Sequence, residues 1–457
     1  MKLPDNMPSP AIIFAAVALA VLLAGCANST APPLVTTAIP ATTTAAAMCM
    51  AAAPLDAPVC KDCAACPPPT PDMAARMADE VAIPPVVDPA RGRLEKSPWS
   101  QLTDWDSDDP TDALTAFEQG CPMLKTRTEW AGVCATASAL VAGKPGKHSA
   151  AQFFRVNFQP YQVLNPDDSN SGIVTGYYEP LLFGSRTRTD RFRHPVFAPP
   201  QDLITVDLAD TYPDLKHRRL RGRIVGNKLV PYYDRADIEG VNPDNSPLKG
   251  LEIAWVDNAV DLFFLQIQGS GQIQLPDGSR IRVGYADQNG HPFRSLAGQL
   301  IRRGELRAER ASMQGIKLWA ERNPAKVRQF MNTNPSYVFF KEIPANGTGP
   351  IGTLGVPLTA GRSIAVDQRV IPLGVPVFLS TTFPNSKQPL NRLMVAQDTG
   401  GAIAGAVRVD FYWGFGDEAG ALAGRMKQRG VKWVLLPNGY DPNATPPPAT
   451  ASIAATP

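Results

Sequence analysis

Apolar residues recur at helical spacing over Asp112–Gln119, Ser149–Phe158, Leu296–Arg303 and Met313–Glu321, and these stretches are read as amphipathic helices, the last stopped before Pro324. A further helix is expected over Asp417–Arg429, with acids in its first turn, Lys427 and Arg429 in its last, and Gly430 as a stop signal. Between these, short runs read as strands: Leu229–Tyr233, Glu252–Trp255, Leu262–Gln268, Val375–Leu379, Arg392–Ala396, Arg408–Tyr412 and Lys432–Leu436. Pro276-Asp277-Gly278 joins two alternating runs as a hairpin. No internal repeat is visible. Many short strands with a few helices favour β-barrels over a doubly wound sheet, so the expected fold class is mainly β with added helices.

The ends of the chain read differently. Lys2, the apolar stretch Ala11–Leu23 and the tetrad Leu23-Ala24-Gly25-Cys26 form a signal peptide ending in a lipobox. The apolar stretch is short for a membrane span. Cleavage before Cys26 and acylation of its thiol would anchor the mature chain without a spanning helix. Residue 27 is Ala rather than Asp, which in proteins resembling Gram-negative lipoproteins implies the periplasmic face of the outer membrane. Residues 27–95 are rich in Ala, Pro and Thr and hold too few large apolar groups to offset chain entropy, so they are expected to form an extended, disordered tether. Residues 441–457 repeat that composition and are expected to be a disordered tail.

The seven cysteines sort by setting. Cys26 is the lipid acceptor. Cys60, Cys63 and Cys66 have metal-knuckle spacing but lack a fourth ligand at a knuckle distance, and in an oxidising compartment disulfides among them and Cys49 are the favoured outcome. Cys121 and Cys134 flank Trp130 and can close a small loop.

Net charge of +2 points to no partner. The four histidines, His148, His194, His217 and His291, have no pair at metal-ligand spacing, and neither a Gly-x-Ser-x-Gly elbow nor a phosphate loop is present, so no metal, nucleotide or other cofactor is expected. The basic run Lys216-His217-Arg218-Arg219, continued by Arg221 and Arg223, resembles a nucleic-acid patch, but an exported protein meets no nucleic acid in ordinary service; it reads as a solvated loop, or as a contact for acidic wall peptides.

Chemistry concentrates near the C-terminus. Asp367, Asp398 and Asp410 lie within one short stretch, and Asp410 interrupts Val409–Trp413, a run otherwise apolar or aromatic, where burial disfavours its charge and lets it hold a proton near neutral pH. Asp398 precedes Gly400 and Gly401, which permit positive φ and close ligand approach; a turn-capping Asp is the plainer reading of that phrase alone. Read as a strand, Leu262–Gln268 places Gln266 and Gln268 on one face, either as amides for sugar hydroxyls and N-acetyl groups or as a solvated row. Thr175-Gly176-Tyr177-Tyr178-Glu179-Pro180 adds aromatic faces on which a pyranose can stack.

These phrases, together with Gly269-Ser270-Gly271 after Gln268 and Asn334-Pro335-Ser336-Tyr337-Val338-Phe339-Phe340, occur in the order of the membrane-bound lytic murein transglycosylase A family, which the chain resembles from about Trp99 to Pro437. The C-terminal part looks like its three-aspartate module. The resemblance implies a double-psi β-barrel built from 96–180 and 336–440, with a second small β domain, 181–335, inserted as the other wall of a glycan groove. It implies Asp410 as the catalytic acid and Asp398 as a supporting carboxylate; Asp367 is read as a further supporting carboxylate, and Thr175, Tyr177, Tyr178, Gln266, Gln268, Ser270, Gly400 and Gly401 as the candidate substrate-binding set. The activity so implied is cleavage of the β-1,4 bond between N-acetylmuramic acid and N-acetylglucosamine in peptidoglycan with a 1,6-anhydromuramoyl product. One carboxylate suffices for that reaction because the muramoyl 6-hydroxyl is an internal nucleophile. A non-catalytic wall-binding lipoprotein and a two-carboxylate muramidase are the alternatives.

Overall fold

The computed structural model describes residues 90–442, apart from 126, 213–214, 216–219, 241–242 and 345–348. The lipobox with Cys26, the tether up to residue 89 with Cys49, Cys60, Cys63 and Cys66, the basic run 216–219 and the tail from 443 lie outside the described residues. Among the described residues no helix is long and apolar enough to cross a membrane.

Strands follow in chain order as β1 (Arg93–Lys96), β2 (Phe158–Leu164) and β3 (Gly172–Glu179). Next come β4 (Leu181–Ser185), β5 (His194–Phe197), β6 (Ile204–Thr205), β7 (Arg221–Val225), β8 (Lys228–Pro231), β9 (Glu252–Val256), β10 (Ser270–Gln274), β11 (Arg280–Gln288) and β12 (Val338–Ile343). The last are β13 (Ser363–Val366), β14 (Pro376–Thr382), β15 (Pro389–Asp398), β16 (Val409–Phe415) and β17 (Lys427–Pro437).

One sheet runs β1-β2-β17-β14-β15-β13-β16-β3 and closes on itself because β17 also pairs with β3. β17 does this by length: Lys427–Gly430 lie against β3, while Val431–Pro437 lie between β14 and β2. Two pairs, β13 with β15 and β16 with β3, are parallel, and the others in the ring are antiparallel. This is the double-psi barrel. Its interior is filled by Val174, Ile364, Val366, Val377, Leu393, Val395, Val409, Phe411 and Val434, all buried.

The helices Thr111–Leu124, Thr128–Ala142 and Lys147–Asn157 complete the core with a tilted aromatic cluster of Phe117, Trp130, Phe153, Phe154 and Phe158. Cys121 and Cys134 form a disulfide between the first two of these helices, as their flanking of Trp130 allows. A buried ion pair ties the layers: Arg362 grips Asp108 with both terminal nitrogens at 2.8 and 3.0 Å, and Asp108 also accepts the N–H of Leu393 in β15 at 2.8 Å.

The chain leaves the barrel at Pro180. A second sheet, β12-β11-β10-β4-β9-β5, follows, with a small sheet β6-β7-β8 beside it in sequence. The hairpin expected at Pro276-Asp277-Gly278 joins β10 to β11, fixed by the Asp277 carboxylate accepting Ser279 N–H at 2.9 Å. The ion pair Arg282–Glu179, both side chains buried, pins β11 of this sheet to the last residue of β3.

Four expectations are corrected. Leu262–Gln268 is not a strand but part of the helix Ala259–Gln268, capped by Asn258, whose side-chain Oδ1 accepts the N–H groups of Val260 and Asp261, and stopped by Gly269 in the left-handed region at φ 80°. The helix is buried on two sides, with Phe263 and Phe264 in one cluster and Leu262 and Leu265 in another, so its apolar run lacks the gaps that mark a helix. The helix expected over Asp417–Arg429 covers only Gly416–Ala423. Gly430 lies inside β17, where a side chain would meet Val174 Cγ2 at 2.7 Å, so it is kept small by crowding rather than by a helix end. The insert also runs past residue 335, because β12 pairs with β11, and the expected tether ends before residue 95, because Arg93–Lys96 pair with β2.

Candidate active site

Side chains alternate across a strand, and that alternation builds the site. On β16, Val409 and Phe411 fill the barrel, which turns Asp410 and Tyr412 to the opposite face. On β3, Val174 points inward and Thr175 and Tyr177 outward. In β15, Gln397 is fully buried, donating to Ala116 O at 2.8 Å and accepting from Ser363 Oγ at 2.5 Å, so the next residue, Asp398, faces the other way. Ala365 of β13 is the register partner of both Asp398 and Asp410, which sets the two carboxylates on strands either side of a small residue.

Asp410 is densely surrounded by protein yet keeps part of its surface open to solvent. Thr175 Oγ1 donates to its Oδ1 at 2.5 Å, and Arg408 Nη2 donates to Thr175 Oγ1 at 2.7 Å. Burial pushes the Asp410 carboxyl up to about 6, against the pull of Thr175 and the Arg408 guanidinium and with the help of the negative charge on Asp398.

Asp398 is held differently. Its Oδ1 accepts the N–H of Thr353 at 3.0 Å and the Thr353 hydroxyl at 2.9 Å. Burial raises its pKa, and these bonds, with the Tyr177 hydroxyl turned toward it, oppose the rise. Tyr177 stacks on Tyr412 with ring centroids 5.2 Å apart, and its phenol is raised by burial and by both carboxylates. Leu358, Ile403 and Ala365 pack around these rings and make the wall apolar.

The remaining expected residues are placed elsewhere or have other work. Asp367 stands apart: burial alone would raise its pKa, but two bonds from Arg369 at 2.7 and 2.6 Å and the Gly405 N–H at 2.8 Å bring it below the usual range, so it anchors the loop ahead of β16. Tyr178 is buried, its N–H donating to Gln268 Oε1 at 3.0 Å and its hydroxyl to Met313 Sδ at 3.1 Å, and offers no open stacking face. Gln266 is buried and accepts from Arg235, so on a helix it and Gln268 brace the inserted domain rather than form an exposed row. Ser270 opens β10 opposite Gly284. Gly400 does not take a left-handed conformation; it is small because Ile403 Cγ1 would lie 2.8 Å from an added Cβ. Gly401 is exposed beside it.

Arg408, Thr353 and Lys432 were not anticipated. Arg408 was within reach, since it sits two residues before Asp410 and shares its strand face. Thr353 comes from a loop with no recognisable pattern. Lys432 is fully buried in β17, its amine 3.2 Å from the carbonyl of Arg408, and burial brings its pKa down to about 7. Among the described residues no cluster of three or more His, Cys, Asp or Glu is placed to hold a metal ion.

A raised carboxyl in an apolar wall, with a second carboxyl beside it on the next strand but one, is equipment for general acid–base work. Family comparison agrees with this geometry. A model described as the MltA specific insert domain matches residues 173–341, and a 3D domain model matches residues 362–436. The membrane-bound lytic murein transglycosylase A of Escherichia coli (strain K12) is 34% identical over 283 residues, which span 60% of this chain and 68% of that protein. The chain belongs to the membrane-bound lytic murein transglycosylase A family. Among solved members of this family, the Neisseria gonorrhoeae MltA structure superposes with a TM-score of 0.67 at 39% identity, covering 77% of this chain and 94% of the other. The Escherichia coli MltA structure with bound chitohexaose gives 0.57 at 28% identity, covering 76% and 94%. The chain therefore shares with the family both the inserted domain and the aspartate-bearing barrel.

Proposed function

We propose that this protein is a peptidoglycan lytic transglycosylase that cleaves the β-1,4 bond between N-acetylmuramic acid and N-acetylglucosamine with Asp410 as its single acid and base. The observation that carries this is the Asp410 carboxyl, raised to about 6 by burial and aimed by Thr175. The family and its chitohexaose-bound member support a glycan as the ligand.

Protonated Asp410 gives its proton to the glycosidic oxygen as the bond to the muramoyl C1 breaks, and N-acetylglucosamine leaves with a free 4-hydroxyl. The resulting carboxylate takes the proton of the muramoyl 6-hydroxyl as that oxygen bonds to C1. Asp410 ends protonated again, no water is consumed, and the product is a 1,6-anhydromuramoyl end. Asp398, whose charged form the Thr353 hydrogen bonds favour against burial, stabilises positive charge at C1 and raises the proton affinity of Asp410. The lipobox at Leu23–Cys26 supports an anchor at the periplasmic face of the outer membrane.

Product analysis tests the mechanism. Muropeptides released from purified murein should be one water lighter than lysozyme-type products and unchanged by borohydride. Mainly reducible muramic acid ends would assign water as the acceptor and Asp398 as a second catalytic carboxylate. Binding to murein with no release would leave only a wall-binding protein.

A further inference from the structure

Many arginines in this protein face a carboxylate: Arg362 with Asp108, Arg369 with Asp367, Arg221 with Asp287. Arg294 and Arg302 are arranged otherwise. They line one open pocket of about 480 Å³ whose wall is completed by Ser295, Gly298 and Gln299 and holds no acidic side chain. Two arginines on one opening with no acid between them offer two donor forks, which an anion such as a carboxylate can fill.

The pocket is tied to the catalytic barrel through a chain of buried and half-buried hydrogen bonds. The N–H of Arg294 donates to Asn334 Oδ1 at 2.9 Å, and the carbonyl of Asn334 accepts Arg235 Nε at 3.1 Å. Arg235 also donates to Gln266, and two residues along the same helix Gln268 accepts the N–H of Tyr178, next to Tyr177 on β3. The pocket backbone is thereby preformed relative to the strand that carries Thr175. Ser295 Oγ accepts the N–H of Gly298 at 3.2 Å, which leaves its own hydrogen to donate.

Taking peptidoglycan as the substrate, as proposed above, the sugars of the strand are neutral and its carboxylates hang on the peptide stems. We propose that the Arg294–Arg302 pocket is a peptide-stem subsite, binding a stem carboxylate between the two guanidiniums while Gln299 and Ser295 meet the neighbouring peptide amides. It follows that stem-bearing murein is cleaved in preference to bare glycan.

The test compares the full-length protein with the double variant Arg294→Gln, Arg302→Gln on two substrates, murein sacculi and the glycan strands left after an amidase has removed the stems. On sacculi the variant should lose about tenfold in kcat/KM, and on bare strands it should match the parent. A parallel calorimetric titration uses the free stem peptide released by the same amidase: the parent should bind it at least tenfold more tightly than the variant, and inorganic phosphate should compete only weakly. Equal losses on both substrates, no loss on either, or phosphate competing as well as the peptide would overturn the subsite. If the parent cleaves neither substrate yet binds the peptide through these arginines, the enzymatic reading falls and the subsite stands. If it cleaves neither substrate and does not bind the peptide, both fall. Should the double variant fail to fold, the single variants Arg294→Lys and Arg302→Lys, which keep charge but lose the fork, carry the same comparison with smaller losses.

Discussion

Thr175 and Asp410 are register partners on the parallel strands β3 and β16, and their side chains share a hydrogen bond of 2.5 Å. Residues 235 positions apart in sequence are thus fixed against each other by backbone pairing rather than by a flexible loop. The acid is aimed by the sheet itself.

Asp410→Asn removes the proton donor without changing shape, so murein release should fall by about two to four orders of magnitude. Its melting temperature should not drop, since a partly charged buried carboxyl is replaced by a neutral amide. Asp398→Asn should lose much less, about tenfold or below, because Asp398 tunes charge and transfers no proton. Equal losses measured by turbidity clearing would point to two catalytic carboxylates.

The pH profile follows from the raised Asp410. Catalysis needs the protonated acid, so kcat/KM should decline as pH rises through about 6. Arg408 lowers the Asp410 pKa, and Arg408→Gln removes that cation. The alkaline limb of the variant should therefore lie at higher pH than that of the parent. A limb that moves to lower pH, or stays put, would detach Arg408 from the acid.

Lys432 makes stability depend on pH. Its folded pKa of about 7 lies below its ordinary value of 10.5, so between these values the unfolded chain binds more protons than the folded one and stability rises with pH. Lys432→Met removes this dependence. Denaturant melts should show the variant gaining over the parent at pH 7 and below, with the gain shrinking by up to about 1.4 kcal/mol per unit toward pH 10. A constant difference across that range would mean that the amine stays charged in the barrel.

Asp108→Ala strands the buried Arg362 guanidinium and frees the N–H of Leu393. A loss of about 3–5 kcal/mol is expected in urea unfolding, with kcat/KM on murein little changed at temperatures where the variant remains folded. A loss under 1 kcal/mol would mean that water reaches the pair.

The sequence revealed the carboxylates more clearly than their surroundings. Asp410 stands out because an acid in an apolar run is costly, and six of the seven runs read as strands, together with the two runs of the hairpin, are strands of the barrel or the insert. The helix Ala259–Gln268 was misread because burial on two sides erases its period, and with it went the reading of Gln266 and Gln268 as a sugar-facing row. Thr353 was invisible for another reason: it reaches Asp398 from a loop that only the folded barrel brings near. Asp367 resembled its two neighbours in sequence, but a partner two residues away, Arg369, diverts it into an ion pair.

β17 is the seam of the barrel, and the strand it joins to β14, β3, lies some 250 residues earlier in the chain. Pairings of that separation form late, because loop closure must be met before the contacts reward it. A chain stopped short of Lys427 would already contain Thr175, Asp398 and Asp410 but not the stave that closes the cask around them. The last of the described strands thus acts as a completion check, because a molecule that stops before it leaves β3 and β14 without the strand that pairs with both.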